Sequence, residues 1–233
     1  MTPDEVLREA AQHTIAAQTA TVWLRFGKAG ERPLEATGYV DFARRRSHLR
    51  YEIPGETAED EPGECEQVLV GGDIYVRGAA TGSDWQVGPS VGDGAAFGDP
   101  LGILDVLATA RPGVQTFEAD LVSGVAATRY RMVVDGERIW ADDSTGVTSY
   151  LRERLALTEP QDPVIDVWID PELRVRRIEG EEQTPLSPGA PIVATVEFGD
   201  FGIEVGEIPV PMAGERLDLD DLLPEPDEPS GSI

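Results

Sequence analysis

The feature that most limits what this chain can become is a succession of short segments in which apolar and polar side chains alternate, the period of strands with one buried face. Residues 20–26 set Val22, Leu24 and Phe26 against Thr21, Trp23 and Arg25, and 34–42 and 46–53 repeat the pattern after short polar turns. Strands joined this closely pair with their sequence neighbours as a meander. Segments 65–70 and 73–77 flank Gly71-Gly72, the composition of a tight hairpin, and 85–87 adds a short strand. Further strands are expected at 115–120, 126–134, 164–169, 173–179 and 192–198.

Helices interrupt this pattern at intervals. Thr2 is an N-cap, Pro3 suits the first helical position and Glu5 stands where a capping-box partner reaches back. Val6, Leu7, Ala10, Ala11, Thr14 and Ile15 then share one stripe, which needs a flat apolar surface to lie on. A second helix is expected after Pro100, marked by Leu101, Leu104, Val106 and Leu107 and ended near Pro112. A third spans 145–157, with Val147, Tyr150, Leu151 and Leu155 on its apolar side. Roughly ten strands with about three helices, and no alternating βα units, define an α+β class: a mostly antiparallel sheet covered by helices. No linker divides residues 1–211, which form a single domain, whereas 212–233 are acidic and proline-rich and are expected to be disordered.

Charge narrows the partners. Lys and Arg number 19 against 44 Asp and Glu, a formal net charge of -25, so the surface repels phosphate backbones and anionic bilayers alike. Nucleic acid is excluded as a partner, and a basic protein is favoured over an acidic one. No apolar run is long enough to span a bilayer, and no basic and apolar leader precedes Thr2. The expected location is the cytoplasm if Met1 is the native start, or the cell envelope if an export signal has been removed.

Catalytic constellations are scarce. The only histidines are His13, in the first helix, and His48, in a strand, so neither a metal nor a cofactor is implied. A Gly-x-Ser-x-Gly elbow is absent. Gly92-Asp93-Gly94-Ala95-Ala96-Phe97-Gly98 approaches a dinucleotide fingerprint, but its third glycine comes one place late and no βαβ unit surrounds it, so it reads as a loop. The acidic stretch 55–66 lacks the ligand spacing of a calcium loop and reads as a solvated surface loop. The lone Cys65 lies in that stretch, where acidic neighbours raise the thiol pKa. No acid, base and nucleophile can be named together, and the chain is read as a non-enzyme.

Four stretches, in shared order, resemble the LolA-like lipoproteins of actinobacteria, of the LppX and LprG type. They are the opening helix with Thr19-Ala20-Thr21-Val22 and Gly38-Tyr39-Val40-Asp41-Phe42; Asp99-Pro100-Leu101 with Leu104 and Leu107; Val122-Ser123-Gly124-Val125-Ala126-Ala127-Thr128-Arg129-Tyr130; and Val167-Trp168-Ile169-Asp170 with Arg176-Arg177-Ile178 and Val196-Glu197-Phe198-Gly199-Asp200-Phe201-Gly202. The similarity runs over residues 4–211, without the family's signal peptide and lipobox cysteine. It implies a half-open β-barrel whose concave face and covering helices enclose an apolar cavity, and a function in binding or transporting acylated lipids or lipoglycans.

Alternation supplies two faces per strand without saying which is inside. The face assigned to a cavity is that of Val22, Leu24, Phe26, Val40, Phe42, Leu49, Tyr51, Tyr130, Met132 and Val167, covered by Leu104, Leu107, Tyr150 and Leu151. Two readings follow. In one, these residues line a cavity for a lipid or other apolar molecule; in the other they fill a dry core, and the protein is an interaction module presenting its acidic surface or tail to a basic partner.

Overall fold

The computed structural model describes residues 1–28, 32–53, 63–70, 73–78, 82–88, 100–135, 137, 162–182, 192–208 and 210. The expected third helix at 145–157, the glycine loop at 89–99 and the tail at 212–233 lie outside them, as do Tyr150 and Leu151.

Helix α1 (Pro3–Ala16) begins as its sequence dictates: the Thr2 backbone N–H donates to Glu5 Oε2 at 2.7 Å and the Glu5 N–H to Thr2 Oγ1 at 3.3 Å, a reciprocal capping box. Leu7, Ala10, Ala11 and Thr14 are buried, Val6 is half-buried, and Ile15, expected on the same stripe, is exposed at the last turn. Two meanders follow. The first comprises β1 (Thr19–Lys28), β2 (Leu34–Asp41), β3 (Arg46–Ile53), β4 (Gly63–Val70), β5 (Asp73–Gly78) and β6 (Gly82–Gly88). The second comprises β7 (Gln115–Val122), β8 (Val125–Val133), β9 (Val164–Ile169), β10 (Val175–Glu182) and β11 (Ile192–Gly199).

Between the meanders lies a helix shorter than the sequence suggests. Helix α2 covers Gly102–Val106 and tightens into a 3₁₀ turn at Leu107–Thr109. Pro112 does not end it. The chain leaves the helix earlier because its backbone is recruited by strand β8: Ala110 bridges Val134, Arg111 N–H donates to Val133 O at 2.9 Å, and Asp135 N–H donates to Thr109 O at 3.1 Å.

All pairings are antiparallel, and β1 joins β11, so both meanders fuse into one 11-stranded sheet ordered β6-β5-β4-β3-β2-β1-β11-β10-β9-β8-β7. Adjacent strands lie about 4.8 Å apart, so a flat sheet would hold its flanks too far apart to share a core. Yet one buried cluster contains Ile74 of β5, Leu24 of β1, Met132 of β8 and the helical Leu7 and Leu104. The sheet therefore curves around that cluster. Among the described residues β6 and β7 do not pair, so it remains an open curved sheet and is not a closed barrel.

Part of the acidic stretch is strand, not loop: Glu64, Cys65 and Glu66 lie in β4. Cys65 faces inward and is buried, while Glu66 faces the other way and meets Arg77 and Arg50 at 2.6 and 3.2 Å. Alternation decides this, because the one residue between the two glutamates must point to the opposite side.

Candidate functional site

Pairing registers align the inward residues into rows that run across the sheet. One row passes from Tyr130 on β8 through Val167, Ile178, Val196, Leu24, Ala36 and Tyr51 to Cys65 on β4. A neighbouring row joins Phe198, Val22, Gly38 and Leu49. Gly38 is needed there, since a Cβ built on it would sit 1.9 Å from the His48 carbonyl oxygen.

The row is uncharged. Burial pushes the Tyr51 phenol up, with Cys65 adding to it, and the buried hydroxyl donates to Gln67 Oε1 at 3.1 Å. Burial first, and Glu66 second, push the Cys65 thiol up, and burial does the same to the half-buried Tyr130. All three groups stay protonated at neutral pH, which leaves the concave face apolar in its electrostatics as well as its composition. The buried carboxylates lie at its margins: Asp41 is held by Arg44 at 2.7 Å, and Asp170 by Arg176 at 2.7 Å and Arg174 at 3.2 Å.

The helices cover one part of this face. Thr14 Oγ1 donates to Ala10 O at 2.7 Å and accepts from the Val175 N–H at 2.8 Å, both in buried surroundings, which ties α1 to the start of β10. Leu101, Ile103, Leu104 and Leu107 complete the cover. Elsewhere the packing is incomplete: Phe26, Leu34, Val76 and Tyr130 touch the cluster but are only partly buried.

Of the residues assigned to this face from sequence, Val22, Leu24, Val40, Phe42, Leu49, Tyr51, Leu104, Leu107, Met132 and Val167 belong to the buried cluster, and Phe26 and Tyr130 pack against it. Sequence reasoning missed Ile74, Leu69, Ile103, Ile178, Val196 and Phe198 in the same cluster. For β11 the signal was present, because Ala194, Val196 and Phe198 recur at every second position.

The opposite face is polar and has its own register. A row runs Arg129, Trp168, Arg177, Glu197, Trp23, Thr37, Arg50, Glu66 and Arg77, with cations and carboxylates interleaved. His48 also lies on this side, 3.1 Å through Nδ1 from the Tyr39 hydroxyl, and His13 is exposed on α1. A cavity of about 580 Å³ opens on this face near Trp23, Ser123 and Asp200. Among the described residues no His, Cys, Asp and Glu side chains converge as a metal site. Nor is any described helix long and apolar enough to cross a membrane.

No family model matches the chain, and no curated protein matches it. Solved structures do. LprF from Mycobacterium bovis superposes with a TM-score of 0.54 at 13% identity, covering 91% of this chain and 97% of that one. The Mycobacterium tuberculosis lipoprotein LppX gives 0.53 at 12% identity, covering 87% and 98%. The open curved antiparallel sheet with α1 packed on its concave side is thus the fold of these two mycobacterial proteins, the architecture that the sequence resemblance implied.

Proposed function

We propose that the protein is a non-enzymatic binding or carrier protein, which holds a lipid or other apolar molecule against the concave face of its sheet. One observation carries this reading: a continuous, uncharged apolar face runs from Tyr130 to Cys65, and Phe26, Leu34, Val76 and Tyr130 at its open parts are only partly buried. An apolar molecule seated there would cover those side chains, each worth about 25 cal/mol per Å² of apolar surface removed from water. The fold shared with LprF and with the lipoprotein LppX supports the same reading.

Native mass spectrometry of the purified protein, with organic extraction of any adduct, tests it. A co-purified lipid, or an adduct formed with added fatty acid or phospholipid, is the expected result. A clean mass that stays unchanged after incubation with both would overturn the carrier reading.

A further inference from the structure

The polar face carries three described tryptophans, and two of them follow one rule. Arg77 lies over Trp85, its Cζ 4.6 Å from the ring centroid, and its guanidinium is held by Glu66 at 2.6 Å. Arg177 lies over Trp168 at 5.3 Å and is held by Glu197 at 2.6 Å. In each case an indole, a guanidinium and a carboxylate form one stack, in which the ring's quadrupole and the carboxylate attract the same cation.

Trp23 has two of those three parts: its half-buried indole and the Asp200 carboxylate line the same cavity, but among the described residues no guanidinium covers its ring. The cavity of about 580 Å³ lies here, lined by Trp23, Thr21, Thr37, Ser123, Arg176 and Asp200 among others. Its shape has a definite cause. The turn between β7 and β8 places Ser123 and Gly124 at φ of 48° and 81°, and Ser123 Oγ donates to Glu197 Oε2 at 2.8 Å. The hairpin tip thereby leans over β9 and β10 and walls one side of the cavity. Gly199, paired with Thr21, contributes no side chain to fill it.

The charges are unequally matched. Arg176 is committed to Asp170 at 2.7 Å, and Arg177 already occupies Glu197. Asp200 accepts a hydrogen bond from the Thr21 hydroxyl at 3.2 Å and has no cation among the described residues. A net charge of -25 adds a long-range field that draws cations toward the surface.

We propose that this groove receives an arginine side chain of a partner polypeptide. The guanidinium stacks on Trp23 and pairs with Asp200, completing the arrangement that Arg77 and Arg177 make within the chain. The flanking peptide lies along the remainder of the cavity, which is larger than one guanidinium requires.

The test is a titration of the ¹⁵N-labelled full chain with an acetylated, amidated Gly-Gly-Arg-Gly-Gly peptide at low salt. The reporter is the Trp23 indole N–H resonance, assigned through Trp23→Phe. A saturating shift of that resonance, absent with the matched citrulline peptide and weakened roughly two- to fivefold by Asp200→Asn, is the expected result. Asp200 is exposed and its substitution leaves the core intact, so the variant reports on binding. Equal shifts with the arginine and citrulline peptides, no shift at Trp23, or shifts only at Trp85 and Trp168 would overturn the proposal. Free arginine amide binding as tightly as the peptide would also overturn it, in favour of a small organic cation.

Discussion

The two faces of the sheet are built from the same strands and obey opposite rules. At Leu24 and Arg25, adjacent in β1, the chain passes from complete burial to a side chain that is 51% exposed. The concave side is held by area removed from water, which is non-directional and tolerates any apolar residue of suitable volume. The convex side is held by a ladder of ion pairs, which is directional and, at the surface, contributes little per pair. Stability is therefore concentrated on one face, and the other is free to carry recognition.

The largest consequence is a difference between neighbours. Leu24→Ala should destabilise the fold by about 2–5 kcal/mol, because it removes a fully buried side chain and leaves a cavity. Arg25→Ala should change stability by no more than about 0.5 kcal/mol, since its contact with Glu35 is exposed and 3.9 Å long. Urea denaturation midpoints at constant slope measure both. Equal losses would mean that the two faces are not mechanically distinct.

A smaller effect sharpens the comparison, because the concave side is not held by apolar area alone. Thr14→Val keeps the shape of a fully buried residue and removes the hydroxyl that accepts from the Val175 N–H. The orphaned amide should cost about 1–3 kcal/mol by the same denaturation assay, with hydrogen exchange accelerated first at Val175. A neutral outcome would show that α1 is held to β10 by packing and not by this polar tie.

Much of this contrast could be read from residues alone, for a physical reason. A strand of period two cannot place Val22, Leu24 and Phe26 on one side without placing Thr21, Trp23 and Arg25 on the other, so composition fixed both faces of β1 together. The capping box of α1 was equally local and equally legible. What failed depended on distant chain. The second helix stops at the 3₁₀ turn because strand β8 takes up the backbone of Thr109, Ala110 and Arg111, and nothing within 101–112 announces that. Cys65 stands where an expected strand and an acidic loop overlap, and only its cross-strand partners Tyr51 and Gly78 assign it to the strand. The groove at Trp23 was invisible for the same reason: Ser123 and Glu197 stand 74 positions apart, and only the lean of the β7–β8 hairpin joins them.

The smallest effect separates the faces by pH. On the concave side Tyr51 and Cys65 are pushed further from neutrality, so that face contributes no change in stability between mild acid and neutral conditions. On the convex side His48 and Glu66, 3.9 Å apart, are both shifted. Burial, aided by Arg50 and Arg77 and opposed by Glu66, holds the His48 imidazole below its ordinary 6.5. Burial pushes Glu66 up, but the hydrogen bonds and charge of Arg77, with His48 and Arg50, outweigh it and hold the carboxyl below 4.5. Both groups are depressed by folding, so the unfolded chain takes up protons first. Their contributions are complete above the ordinary values and are lost as pH falls through the folded ones. Stability should accordingly decline in two stages, the first beginning below pH 6.5 and the second below 4.5. Denaturation midpoints followed from about pH 8 to about pH 3 would resolve them. His48→Gln should abolish the first stage and keep the second. If the first stage survives that substitution, the mild-acid sensitivity arises elsewhere than at His48.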